Sequence, residues 1–167
     1  MKRTLTLAAL LACTAVSFAA DNAKTAISKA YTQFDFYVVK GSLKDLESFL
    51  NRTSTNDFTM KQMGQTFDKK AVIAQMKQQL SMGKVNESKT KVKSIVINGS
   101  TATVMTSGSF KMTMKGKNQD KAHVFAGQSE TKDTWVKEGR VWKMKSIESV
   151  SDKMTMDGKP INPGGGN

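Results

Sequence analysis

Cysteine is nearly missing from this chain. Its one cysteine, Cys13, lies in an apolar leader. The remainder can therefore form neither disulfides nor thiolate metal sites, and its stability must come from a hydrophobic core. Histidine is as scarce, with His123 alone, which makes it the cheapest candidate acid or base. Arginine is confined to Arg3, Arg52 and Arg140, which leaves no arginine-rich arm for specific nucleic-acid binding. No apolar run after Ala20 is long enough to span a bilayer.

The composition that remains is that of one domain. The chain has 167 residues, 38% hydrophobic and 24% charged, enough apolar content for a real core. Lys and Arg total 26 against 14 Asp and Glu, a formal charge of +12. The lysines are scattered through Lys69-Lys70, Lys89 to Lys93, Lys115 to Lys121 and Lys143 to Lys145. That pattern reads as a solvated basic surface with no specific nucleic-acid partner.

Met1 to Ala19 has a basic start, a long apolar run and the ending Ser17-Phe18-Ala19, with small residues at the first and third positions. This is the pattern of a secretory signal peptide removed after Ala19. The chain is expected to be exported, either periplasmic or secreted. Leu10-Leu11-Ala12-Cys13 is the alternative, a lipobox-like run that would make Cys13 a lipidated N-terminus. The chain divides into a leader at 1–19, a domain at 20–151 and an extension at 152–167 ending in a flexible glycine-rich tail.

Ala23, Ile27, Ala30, Phe34 and Val38 recur every three to four residues and predict a helix over 22–40, ended by Gly41. Ser42 with Asp45 reads as the cap of a short second helix through Leu50. Asn51 to Asn56 reads as a polar turn, 57–60 as a short strand, and 68–82 as a third helix. The period then changes to two. Strands are predicted at 91–97, 101–115, 121–137 and 140–150, with a bend or bulge at Gly108. Asn98-Gly99 and Glu138-Gly139 read as hairpin turns, the second placing Trp135 opposite Trp142 and Asp133 opposite Met144. The pattern fades after Ser151, where Asp157-Gly158 could turn a short segment back. The order is α+β, with helices on one face of an antiparallel sheet.

Several markers along 22–150 together resemble the nuclear transport factor 2-like superfamily, and within it the secreted SnoaL-like members. They are Val38-Val39-Lys40-Gly41, the helix from Leu43, and Asp57-Phe58-Thr59 before Gly64. Asn98-Gly99 with Ala102-Thr103-Val104 follows, then Asp133-Thr134-Trp135 leading to Gly139-Arg140-Val141-Trp142-Lys143. The resemblance implies a cone: a curved antiparallel sheet wrapped around N-terminal helices, with a pocket at its wide end. It also implies a homodimer through the outer sheet face. It implies no particular reaction, because members include isomerases, dehydratases, cyclases and proteins that only bind.

Enzymes of that superfamily set a carboxylate, often with a tyrosine or histidine, in an apolar pocket. An apolar wall raises a carboxyl's proton affinity. Asp133, His123, Asp35 and Tyr31 are the candidates here. Phe34, Phe58, Phe125, Trp135 and Trp142 are the candidate pocket wall. Met112 with Met114, Met154 with Met156, and Met60 with Met63 have the thioether chemistry that suits copper(I). Met112 and Met114 alternate onto one sheet face, however, and Met76 sits in a helix stripe, so they read as core. Neither metal nor cofactor is expected. The leading expectation is an exported binding module for a small apolar or amphipathic ligand. The alternatives are a carboxylate acid–base enzyme of the isomerase, dehydratase or cyclase kind, and a protein-interaction module acting through its sheet face.

Overall fold

The computed structural model describes residues 6–114 and 121–161, with side chains from Asp21 onward. The polar turn expected at 116–120 and the glycine-rich tail lie outside the described residues. The first helix, α1, runs Thr6–Lys40, starting well before the expected Asn22. It ends at Gly41, whose φ of 68° lets its N–H reach back to the carbonyls of Tyr37 and Val38, each at 3.1 Å. Among the described residues no helix is long and apolar enough to cross a membrane.

Helix α2 spans Leu43–Thr53, and Ser42 Oγ caps it by accepting the Asp45 N–H at 3.3 Å. The polar turn expected at Asn51 to Asn56 does not form. The helix continues through Thr53 and strand β1, Ser54–Gln62, follows directly. The polar residues find partners that a turn would otherwise supply: Thr53 Oγ1 donates to Phe49 O at 2.7 Å and Ser54 Oγ to Leu50 O at 2.6 Å. Met63 and Gly64 turn the chain into β2, Gln65–Asp68, an element the sequence reading lacked. Asp68 Oδ1 then accepts the Ala71 N–H at 2.8 Å and starts α3, Lys69–Met82.

The sheet is completed by β3 (Gly83–Asn98), β4 (Thr101–Met114), β5 (His123–Glu138), β6 (Val141–Met156) and β7 (Lys159–Ile161). β3 begins at the end of α3, ahead of the expected Lys91. β6 continues beyond Val150, and Asp157-Gly158 does turn the chain back as β7. The order is β2-β1-β6-β5-β4-β3, with β7 also on β6. All neighbours are antiparallel except β1 and β6, which are parallel.

No bulge forms at Gly108. The β4–β5 register is unbroken from Thr101 opposite Val136 to Met114 opposite His123. The extra residues fall on the flanking strands instead, between Val85 and Glu87 and between Val92 and Ser94 on β3. On β6 they fall between Met144 and Ser146 and between Ser149 and Ser151. Bulges increase local twist, so the strands on either side of the β4–β5 pair coil around it.

The β5–β6 turn also differs from expectation. Its two-residue loop is Gly139-Arg140, with Glu138 opposite Val141. Gly139 has φ of 61°, the glycine-first pattern of a type II′ hairpin. Trp135 therefore lies opposite Met144 and Trp142 opposite Lys137, and the bulge between Met144 and Ser146 sets Asp133 opposite Ile147. The Asn98-Gly99 hairpin forms with the same one-residue offset, Asn98 pairing Thr101.

The core sits between the helices and the inner sheet face in two clusters. One joins Ile27 and Tyr31 of α1 to Ala102, Val104 and Trp135. The other joins Phe49 and Leu50 of α2 to Phe58 and Val72. Burial of a side chain such as Phe58, 1% exposed, stabilises the fold by roughly 1.5–3 kcal/mol.

Candidate functional site

A cavity of about 210 Å³ lies between the two core clusters. Every layer of the fold contributes to it. Helix α1 supplies Tyr31 and Phe34, β1 supplies Phe58, and α3 supplies Val72 and Met76. The sheet supplies Thr106, Thr131 and Asp133. Alternation along β4 and β5 aims Thr106, Thr131 and Asp133 at this side, while their neighbours face out. Gly108 also borders the cavity, and a Cβ there would come to 3.1 Å from Ser129 Oγ.

Asp133 and Tyr31 form the polar floor. Both are buried, at 1% and 7% exposure. The Tyr31 hydroxyl donates to Asp133 Oδ2 at 2.6 Å, and Trp135 Nε1–H donates to the Tyr31 oxygen at 3.0 Å. The Tyr31 and Trp135 rings meet edge to face, with centroids 5.7 Å apart. Asp133 Oδ1 is buried and has no partner. Thr106 Oγ1 and Thr131 Oγ1 are 2.8 Å apart and share one hydrogen bond.

Burial pushes the Asp133 carboxyl above its ordinary range. The Tyr31 hydrogen bond, and to a lesser degree the neighbouring Thr131 hydroxyl, pull it part of the way back. The Tyr31 phenol is driven far above its ordinary range by burial first, then by the charge of Asp133 and its hydrogen bond to that carboxylate. Tyr31 thus stays neutral, and its single proton is held by Asp133. At the site, Asp133 Oδ1 is a buried acceptor that makes no hydrogen bond. As a carboxylate oxygen it can accept a hydrogen bond or a proton from a molecule in the cavity.

The remaining candidates stand elsewhere. Asp35 accepts from Ser88 Oγ at 2.8 Å, Thr90 Oγ1 at 3.0 Å and the Thr90 N–H at 2.6 Å. Those bonds tie α1 to β3 and leave its carboxylate well supplied with donors. His123 is half exposed at the start of β5, with Nδ1 2.7 Å from Asp157 Oδ2. It does not border the Asp133 cavity. Phe34 and Phe58 do border it. Phe125 borders a second cavity, together with Phe34. Trp135 is buried behind Tyr31, and Trp142 packs against the Ile27 cluster; neither borders these two cavities. Thr106 and Thr131 were not singled out from sequence. Their signal was a hydroxyl at an inward position of an otherwise apolar strand face. Among the described residues, no group of three or more His, Cys, Asp and Glu side chains could hold a metal ion.

No family model matches the chain, and no curated protein matches it. Solved structures do. An NTF2-like protein of unknown function from Prochlorococcus marinus superposes with a TM-score of 0.60 at 19% identity, over 77% of this chain and 91% of that one. An NTF2-like protein from Cytophaga hutchinsonii superposes at 0.59 and 13% identity, over 77% and 97%. A hexachlorocyclohexane dehydrochlorinase superposes at 0.60 and 12% identity, over 89% and 99%. The chain has the nuclear transport factor 2-like fold, an α+β cone. Identities this low establish the fold alone.

Proposed function

We propose that the protein is an exported binding module whose cavity takes a small, largely apolar molecule carrying one hydrogen-bond donor, seated on Asp133. One observation carries this reading: Asp133 borders a largely apolar cavity, and its Oδ1 is buried with no hydrogen-bond partner. A buried acceptor without a partner is costly, and a ligand donor would remove that cost. Export is supported by the leader pattern. Cleavage after Ala19 would keep Ala23, Ile27 and Tyr31, the α1 residues that enter the core, on the mature chain. The test is native mass spectrometry of the protein purified from its host. A bound small molecule is expected on the wild type and not on Asp133→Asn. An unoccupied wild type, with no small molecule that restores a complex, counts against the reading. The same spectrum distinguishes a start at Ala20 from a lipidated Cys13.

The second reading is proton abstraction. A carboxyl raised by burial, one oxygen anchored and the other free, is suited to take a proton from carbon. The dehydrochlorinase that shares the fold, at 12% identity, makes an elimination reaction worth testing. Binding is the better supported of the two. Isomerases and dehydratases of this kind use a second group to stabilise or protonate the substrate, and the Tyr31 proton is already donated to Asp133. Self-association through the outer sheet face accompanies either reading.

A further inference from the structure

A second cavity, of about 380 Å³, adjoins the first. Phe34 of α1 and Met76 of α3 belong to the walls of both. The outer chamber has a distinct chemistry. Gln79 is the one polar side chain among the described residues that border it. Five methionines, Met76, Met82, Met112, Met114 and Met156, make up much of the rest. Methionine is unbranched and polarizable, and it re-packs around apolar groups of varied shape. The other notable wall is the Phe110–Phe125 pair, ring centroids 5.3 Å apart. The Phe110 ring lies over Gly127, where an added Cβ would strike it.

We infer that the ligand is an elongated amphiphile: a donor head on Asp133 and an unbranched apolar chain that passes between Phe34 and Met76 into the methionine chamber. The inference rests on the inner cavity being the ligand site. Three observations choose this occupant. The inner chamber has at its floor a buried carboxylate oxygen that makes no hydrogen bond. Among the described residues the outer chamber offers no polar side chain but Gln79. The two share walls, and the shared side chains, Phe34 and Met76, are both half buried and carry rotatable bonds. A compact polar substrate would leave the larger chamber empty, whereas a chain fills both.

The test is calorimetric titration of the mature protein with 1-alkanols from butanol to decanol. Affinity is expected to rise about fourfold per methylene (~0.8 kcal/mol) well past the length that fills the inner chamber. Leu80→Trp and Met156→Trp each place an indole in the outer chamber from opposite walls. Either variant, with an unchanged melting curve, is expected to halt the rise at short chains while leaving butanol affinity intact. A wild-type series that levels off at short chains overturns the inference, as does a rise that either tryptophan leaves untouched. Asp133→Asn separates the two readings. Weakening of every alkanol by a common factor supports the Asp133 seat. A rise with chain length that survives Asp133→Asn unchanged removes that seat and retains the outer chamber. Binding by no alkanol overturns the inference and leaves the outer chamber to a protein occupant, a second copy of the chain included.

Discussion

Asp133 is costly to the fold, and the cost has a sign. Its carboxyl is raised in the folded state by burial, relative to roughly 3.9 in an unfolded chain. The folded state therefore binds the proton more tightly. This contribution to stability is fully present below the unfolded value and is lost as pH rises through the folded one. Thermal melts of Asp133→Asn are expected to show a higher melting temperature than wild type at neutral pH and a smaller loss on going from acid to neutral. Tyr31→Phe acts in the opposite direction. It removes the donor on Oδ2 and is expected to cost on the order of 1–3 kcal/mol where Asp133 is ionised, and less where it is protonated. Denaturant titrations at two pH values, closed into a cycle with Asp133→Asn, check both. Strand alternation put Asp133, His123 and Trp135 on one face, but a shared face is not a shared site. His123 and Asp133 are roughly 33 Å apart along β5 at ~3.3 Å per residue. They share a face and no site. The Tyr31–Asp133 pair depends on where α1 crosses β5, and neither segment's own pattern encodes that crossing.

At the scale of elements, helices with a clear apolar stripe and a cap were legible, and strand ends were not. Ser42 and Asp68 cap the helices they precede, and Gly41 ends α1. The turns were recognised from their glycines, but the register was off because glycine takes the first loop position in the Gly99 and Gly139 turns. That difference moves Trp142 away from Trp135. β2 was missed because it exists only as the partner of β1. The parallel β1–β6 pairing has no local signature at all. Gly127 is the element-scale prediction. Its missing side chain makes room for the Phe110 ring between β4 and β5, so Gly127→Ala is expected to cost about 1–3 kcal/mol by overpacking. Phe110→Leu in the same chain is expected to recover part of that loss, measured by chemical denaturation.

At the scale of the whole molecule, the face of the sheet turned from the helices is polar and basic. Lys89, Lys91 and Lys153 border one groove there with Ser107, Ser109 and Gln128. Lys93 pairs with Glu130 beside it, and Lys61 with Glu148 at 3.4 Å. A homodimer through this face would bring like charges together, so it is expected to tighten as salt rises, opposite to pairing of unlike charges. Light scattering at low and high ionic strength reads the direction. The fold class was legible from the order of periods along the chain, four then two. The division of the interior into two chambers was not, because Phe34, Met76 and Met112 carry ordinary core patterns whether they fill space or enclose it.

The most direct measurement is a carbon-13 NMR titration of the Asp133 carboxyl, unliganded and with a saturating 1-alkanol. A buried carboxyl with one unbonded oxygen at a ligand seat is expected to titrate above the ordinary aspartate value of roughly 3.9. Its midpoint should then shift downward when a ligand hydroxyl donates to Oδ1. A midpoint at the ordinary value, unmoved by ligand, would contradict both the burial of the charge and the seat.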